Sequence, residues 1–561
     1  MRKSTIRSAL AIASIFFFTA LLASCGVQVS TSSNVTQPTA EQASRLLTQA
    51  TFGPTVEDIS RLESMGTAAW FNDQFSKPQT LHLAYMNNAQ TNLAAGQTLS
   101  ANQFYESFWK QAITGDDQLR QRVTYALSQI FVISFQNTTL ASMPRGVASY
   151  YDTLGAYAFG NFRDLLQAVT LHPMMGMYLS SLGNQKKAGA REPDQNYARE
   201  VMQLFTIGLE QLNVDGTDTG NPTYTNDDIV ALANVFTGWS WAGPDQSDNR
   251  FYGYNNPAPD PNRDWLPMQN YSKFHETAAI ACPTQTLGIN IPPGLSGADS
   301  LKIALDALFN NPNVGYFIGR QLIQRLVISN PSPNYIGRVA AVFNNNGQGV
   351  RGDMKAVIKA VLLDPEAMTP LDTSNTTNGK LREPVIRLAN WMRAFHVNSS
   401  SGRFPITNLD NTSNALGQTP MNSPTVFNFY RPDYQPPNSK LSSAALIAPE
   451  MQITDETSVI GYLNLMKCVI QNGVGSTVPY ASLCSSASDI KANYTSELAL
   501  AANPDLLVNR ISLLLMQNQM SPYLHDKIVA AITSNTSNTA INKVYLAIYL
   551  AMASPEYLVQ K

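Results

Sequence analysis

The residues best suited to chemistry lie in and just after the segment at 196–209. Arg199 and Glu200 place a cation beside a carboxylate, and Asp228 lies near the start of the next segment with helical periodicity. Carboxylates of this kind can act as general acids or bases in hydrolysis. Adjacent charges on a helix more often form a solvated face or an internal ion pair. Arg199, Glu200 and Asp228 are therefore candidate catalytic residues, with a structural role as the alternative.

The segment at 196–209 is predicted to be one amphipathic helix. A step of about 100° per residue places four large side chains on an inward face: Tyr197, Val201, Leu204 and Phe205. Arg199 and Glu200 belong to the opposite, polar stripe. Nearby aromatic loops need partners for their buried polar groups. We therefore predict that both side chains are at least half buried and hydrogen-bonded to residues 237–241 or 428–433.

Two stretches, 240–295 and 398–437, combine aromatic residues and prolines with little helical period. Long loops in compact proteins are usually functional or disordered, and aromatic-rich loops are poor candidates for disorder. Such loops suit a sugar or peptide surface, but they equally suit loops that pack against a helical core. Candidate binding residues in and beside them are Asn196, Trp239, Asn428 and Arg431.

The N-terminus predicts export. Basic residues precede an apolar run that is too short for a confident membrane span, which is the layout of a signal peptide. The run ends at Leu-Ala-Ser-Cys, which resembles a bacterial lipobox with Cys25 as the lipidated residue. Residues 1–25 are then a lipoprotein signal peptide and residues 26–38 a flexible polar tether. Since Gly26 follows Cys25 where a retention signal would have aspartate, we expect an outer-membrane lipoprotein anchored to the membrane by its lipid.

Three further cysteines are consistent with an oxidising compartment. Cys468 and Cys484 would close a modest loop, so we predict that they form a disulfide and that Cys282 has no intramolecular partner. The sequence has no Cys-x-x-Cys pair and its five histidines are scattered. No metal site and no cofactor are predicted.

Composition and periodicity indicate a mainly α-helical protein. Charged residues make up only 14% of the chain and the net charge is -2, so no basic surface for nucleic acid is expected. Strand-like alternation is scarce, and Thr39 with Gln42 forms a capping-box pattern where folding should begin. Apolar helices that end before Pro173, Pro365 and Pro555 should be central. We expect residues 39–561 to form one large composite helical domain with long aromatic- and proline-rich loops.

Several motifs in order resemble the bacterial family of domain of unknown function 1800. They are ATFGPT at 50–55, LRQRV at 119–123, NYARE at 196–200, NNNG at 344–347 and SPTVFN at 423–428. The resemblance runs from about residue 39 to the C-terminus. It implies an exported, mostly helical protein with no established activity, often encoded near an exported sulfatase-like protein that is a possible partner. Gln195 and Gln203 stand where relatives often have glutamates. The hypothesis that this helix presents a cluster of carboxylates is therefore weaker for this chain.

Two functions follow from these patterns. The first is an envelope lipoprotein that binds or helps to assemble another exported protein or polymer through its aromatic loops. The second is a hydrolase of an envelope or extracellular polymer, with Glu200 and Asp228 brought together by neighbouring helices. A deep pocket lined by Arg199, Glu200 and the Trp239 loop would favour the hydrolase, and a broad surface would favour binding.

Overall fold

Helices account for 53% of the structure and short antiparallel strands for 6%, which confirms the mainly α fold. A computed structural model describes residues 37–213, 216–254, 260, 262–370, 379–478, 481–534 and 539–561. The predicted signal peptide with Cys25 and most of the predicted tether lie outside these residues. No helix within the described ranges is long and apolar enough to cross a bilayer.

The first half of the described chain contains the helices α1 (Ala40–Ala50), α2 (Val56–Met65), α3 (Thr67–Ser76), α4 (His82–Thr91), α5 (Ala101–Thr114), α6 (Gln118–Ser128), α7 (Thr138–Ala141), α8 (Pro144–Tyr157), α9 (Phe162–Leu171), α10 (Pro173–Tyr178), α11 (Asn196–Gln203), α12 (Asn226–Ala233) and α13 (Asp248–Phe251). The second half contains α14 (Gly297–Asn310), α15 (Asn313–Leu326), α16 (Pro333–Asn344), α17 (Met354–Leu362), α18 (Pro365–Met368), α19 (Pro384–Ala394), α20 (Lys440–Ser443), α21 (Glu456–Asn472), α22 (Thr495–Leu500), α23 (Pro504–Met516), α24 (Pro522–Thr533), α25 (Ala540–Ala553) and α26 (Pro555–Leu558).

Each strand pairs with one other strand, so these short sheets join loops and form no separate layer. The antiparallel pairs are β1 (Glu210–Leu212) with β2 (Asp218–Pro222), β3 (Trp239–Ser240) with β4 (Gln269–Asn270), β5 (Ile280–Ala281) with β6 (Asn290–Ile291), β7 (Lys380–Leu381) with β10 (Val559–Gln560), and β8 (Asn398–Ser399) with β9 (Ile490–Lys491). Three short 3-10 turns are Asn234–Phe236, Gln285–Leu287 and Pro449–Ile453.

Local capping signals set several helix boundaries. The predicted capping box at Thr39 and Gln42 is present, and α1 begins directly after it. Each predicted apolar helix before a proline ends as expected, at Leu171, Leu362 and Ala553. Each proline then occupies the first turn of a further short helix, α10, α18 or α26. The prolines therefore start new helices as well as closing old ones, because proline lacks only an N–H that is unpaired at this position.

One large hydrophobic core runs through the described chain, and α9, α17 and α25 contribute fully buried side chains to it. The aromatic loop that follows β3 packs against this scaffold with a small cluster of its own. In that cluster the rings of Phe251 and Phe274 stack with centroids 3.8 Å apart, and Tyr271 is buried beside them. Much of the aromatic content of 240–295 therefore stabilises the loop itself.

A disulfide joins Cys468 in α21 to Cys484, with their Cα atoms 6.1 Å apart, and Cys282 has no disulfide partner. The bridge closes a loop with a sequence separation of 16 residues. By restricting the unfolded chain it should stabilise the fold by about 3 kcal/mol.

The imidazole of His172 is buried at the junction of α9 and α10. Its Nδ1 accepts the Met174 N–H at 3.2 Å and its Nε2 lies 3.5 Å from Ser149 Oγ. Nδ1 can accept only while it is unprotonated, so protonation of the ring would set an Nδ1–H against the Met174 N–H. Burial lowers the pKa of His172 to about 3. The unfolded chain therefore binds one more proton than the native protein between about pH 3 and 6.5.

We expect His172→Asn to flatten the pH dependence of stability, since asparagine can cap α10 but cannot titrate. In the parent protein, His172 should lower the free energy of unfolding by up to about 1.4 kcal/mol for each pH unit below 6. Urea unfolding at pH 7 and pH 5 measures the difference. His525→Asn, at a partly exposed histidine, is the control. If the free energy of unfolding changes equally with pH in the parent protein and in His172→Asn, His172 is not the group responsible.

Candidate functional site

The helix α11 is shorter than predicted. It ends at Gln203, and the chain then closes into a turn in which the N–H groups of Ile207 and Gly208 both donate to Met202 O at 3.0 Å. Gly208 has a φ of 72°, a left-handed conformation that closes this turn. Of the four side chains expected to face inward, three are fully buried. The fourth, Leu204, is only partly buried.

Glu200 is buried, with 7% of its surface exposed, and Arg199 is partly exposed. Burial raises the pKa of Glu200, and the charge of Arg199 opposes that shift. Both side chains are more than half buried, as predicted. Within the described ranges neither is hydrogen-bonded to residues 237–241 or 428–433, so the hydrogen-bond part of the prediction is wrong. The turn at 237–241 takes its partners from elsewhere: Gly238 N donates to Asn184 O and Asn270 Nδ2 donates to Thr237 O.

Asp228 has a structural role at the N-terminus of α12. Its carboxylate accepts from Thr225 N and Thr225 Oγ1, each at 2.7 Å, and from the backbone and hydroxyl of Thr284. Burial alone would raise the pKa of Asp228, but these hydrogen bonds outweigh it and the pKa is lowered. With its oxygens engaged in a cap, Asp228 is poorly placed to share a reaction with Glu200.

The candidate binding residues do not form one surface. Trp239 is 6% exposed and belongs to β3, so most of its side chain lies beneath the surface. Asn428 is also buried, at a φ of 68°, and its Nδ2 has no hydrogen-bond partner among the described residues. Asn196 is exposed at the start of α11. Arg431 lines a substantial cleft.

That cleft, the α11–α15 groove, has a volume of about 360 Å³. Four parts of the chain form its walls: the C-terminal end of α11 with the turn after it, the hairpin β1–β2, one face of α15, and the segment at 427–433. On α15 the lining side chains follow a spacing of three, four and seven residues, which places them on one side of the helix: Phe317, Arg320, Gln321 and Gln324.

Close packing and two polar side chains hold the walls in place. A Cβ at Gly208 would lie 2.8 Å from the ring of Phe317, so only glycine lets the α11 turn approach α15 this closely. Asn313 Nδ2 donates to Ile207 O at 2.7 Å and to Glu210 O at 2.8 Å, while its Oδ1 accepts from Leu212 N. On the opposite wall, Gln324 Nε2 donates to Pro432 O. The groove is therefore preformed.

The groove presents both apolar and charged groups. Leu209 and Phe427 at its edge are 55% and 37% exposed, which is unusual for large apolar side chains in the described chain. The charged lining residues are of both signs, and none forms an ion pair within the described ranges: Arg320, Arg431, Glu210, Asp218 and Asp433. Beneath them, Gln321 Nε2 and Gln324 Oε1 are buried without hydrogen-bond partners. Such atoms are usually satisfied by water or a ligand.

Comparison with known families agrees with the motif resemblance. A family model described as "Protein of unknown function (DUF1800)" matches residues 45–559. The chain belongs to the DUF1800 family. The match includes every segment that lines the α11–α15 groove. Searches of curated proteins and of solved structures found no match.

Sequence reasoning missed the α15 side of the groove. Arg320, Gln321 and Gln324 interrupt the apolar character of α15 at neighbouring helical positions. Buried glutamines need partners, so two of them on one side of a helix were a usable signal. Arg431 was identified from its aromatic surroundings alone.

Proposed function

We propose that this protein is an exported lipoprotein of the cell envelope, anchored to the outer membrane through Cys25, that binds an extended polypeptide segment of another exported protein. The proposed binding site is the α11–α15 groove. The observation that carries the proposal is the combination of exposed apolar walls with charges of both signs that have no ion-pair partners in the described chain.

An extended polypeptide matches this surface in three ways. Its apolar side chains can cover Leu209, Phe317 and Phe427, whose exposed area otherwise remains in contact with water. Its charged side chains can pair with Arg320 and Arg431 on one side and with the carboxylates on the other. Its backbone supplies one donor and one acceptor per residue, which suits the amides of Gln321 and Gln324.

Site-specific photo-crosslinking tests the proposal in the native envelope. A photoreactive phenylalanine analogue at position 427 should give an adduct with an exported protein, whereas the same analogue at Tyr523, which is 72% exposed, should not. Mass spectrometry identifies the crosslinked segment, and the sulfatase-like protein suggested by the family resemblance is the first candidate. A synthetic peptide of that segment should bind the parent protein at least tenfold more tightly than Phe427→Asp, with Tyr523→Asp unchanged.

Other results separate the alternatives. Equal crosslinking at positions 427 and 523, or peptide binding that survives Phe427→Asp, would contradict the groove as a polypeptide site. If the protein degrades an envelope polymer and Glu200→Gln abolishes that activity while peptide binding is absent, the hydrolase is the correct function. Glu200→Gln is informative because it removes the charge and keeps the shape of the side chain.

A further inference from the structure

A second cleft, which shares no lining residue with the α11–α15 groove, is lined mostly by polar side chains. It lies between α4, α5 and the loop at 401–403 and has a volume of about 420 Å³. This is within the range of small-molecule sites, about 300–1,000 Å³. We call it the α4–α5 cleft.

The wall formed by the last turn of α4 and the two residues after it carries two neighbouring pairs of side chains. Asn88 and Asn92 are four residues apart, so their amides lie on the same side of the helix, and both are exposed. Asn92 Nδ2 donates to Asn88 Oδ1 at 2.7 Å, which orients the two groups as a pair. Beside them, Ala89 and Leu93 form a narrow apolar strip. The wall therefore offers amide donors and acceptors next to a hydrocarbon surface.

The α5 wall is organised by a buried carboxylate. Glu106 is only 5% exposed, and its oxygens accept from Tyr85 OH at 2.9 Å and from Arg403 Nη2 at 2.5 Å and Nε at 3.2 Å. This arrangement fixes Tyr85 and the 401–403 loop around the cleft. The charges of Glu106 and Arg403 offset each other, so the one remaining charge in the lining is that of Lys110.

We propose that the α4–α5 cleft binds a neutral, N-acetylated saccharide of about two sugar rings. An acetamido group presents one N–H donor, one carbonyl acceptor and a methyl group, which match the paired amides of Asn88 and Asn92 and the strip at Ala89 and Leu93. The C–H face of a sugar ring adds apolar contact. Glu106 is buried and paired with Arg403, so neither offers a free charge to a ligand, and the Lys110 ammonium can donate to a hydroxyl or ring oxygen of a neutral sugar.

Ligand-observed saturation-transfer NMR tests this with the full chain in a detergent that lacks a sugar headgroup. The probe is N,N′-diacetylchitobiose, and cellobiose, which lacks acetamido groups, is the comparison. We expect saturation transfer that is strongest at the acetyl methyl protons, and an affinity at least tenfold higher than that for cellobiose.

Two variants change opposite walls of the cleft: the double variant Asn88→Ala/Asn92→Ala and the single variant Lys110→Met. Each should weaken binding of the acetylated disaccharide by at least fivefold. Asn87→Ala is the matched control, because Asn87 is an exposed asparagine of the same helix that does not line the cleft. No saturation transfer, equal affinity for cellobiose, or binding that survives both variants would overturn the proposal. Phe427→Asp should leave this binding unchanged, so this site and the polypeptide groove can fail independently.

Discussion

Lys380→Met is expected to lower the free energy of unfolding by about 3–5 kcal/mol, because it leaves a buried carboxylate without its cation. Lys380 and Glu450 are 3% and 2% exposed and form an ion pair in the core. Glu383, also fully buried, lies close enough to Lys380 for the two charges to attract, and its Oε2 accepts from Tyr125 OH at 2.9 Å and from Gln418 Nε2 at 2.7 Å. Removing the lysine leaves two neighbouring carboxylates in the core.

The exposed pair Lys187–Glu192 provides the matched control. Lys187 Nζ and Glu192 Oε1 are 2.5 Å apart, but the two side chains are 61% and 54% exposed. Lys187→Met should therefore change the free energy of unfolding by less than about 1 kcal/mol. Burial raises the pKa of Glu450 despite Lys380. Without the lysine that pKa should rise further, so the loss of stability in Lys380→Met should be larger at pH 8 than at pH 5.

Urea unfolding of the two variants at both pH values gives the comparison. Lys380→Met with Glu450→Leu should recover most of the lost stability, because it replaces the buried pair with apolar contacts. If Lys380→Met lowers the free energy of unfolding no more than Lys187→Met does, the buried Lys380–Glu450 pair contributes little to stability and this prediction is wrong.

Cys25→Ala is expected to shift nearly all of the protein out of the membrane-anchored fraction or to leave it unprocessed. Lipid chains at the cysteine would supply the membrane affinity, since each buried methylene contributes about 0.8 kcal/mol and stable anchoring takes more than one chain. Globomycin, which blocks lipoprotein signal cleavage, should cause the precursor of the parent protein to accumulate. Cell fractionation and intact mass of the mature N-terminus measure both effects.

Cys282→Ala is the control for Cys25→Ala, because Cys282 is the cysteine without a disulfide partner in the described structure. Its fractionation should match that of the parent protein. A mature N-terminus downstream of residue 25, carrying no acyl chain, would refute the lipoprotein assignment and leave an ordinary signal peptide.

The sequence alone was sufficient for features that depend on neighbouring residues. The capping box at Thr39 and Gln42 predicted the start of α1, since a cap is made within one helical turn. Prolines 173, 365 and 555 marked helix ends because proline acts on the residues directly before it. Their position at the start of the next helix was not predicted. The mainly helical class followed from periodicity repeated along the chain.

Tertiary structure decided what the polar residues do. Asp228 is held by Thr284, which is 56 residues away, and no local pattern links the two. Glu200 is buried by packing, and the partners expected for it at 237–241 are hydrogen-bonded to residues 183–184 and 270–276 instead. The α11–α15 groove joins residues near 208, 317 and 430. Hydrogen bonds within one turn can be predicted from adjacent residues, whereas a cleft depends on which distant segments pack together, and that is set by the whole core.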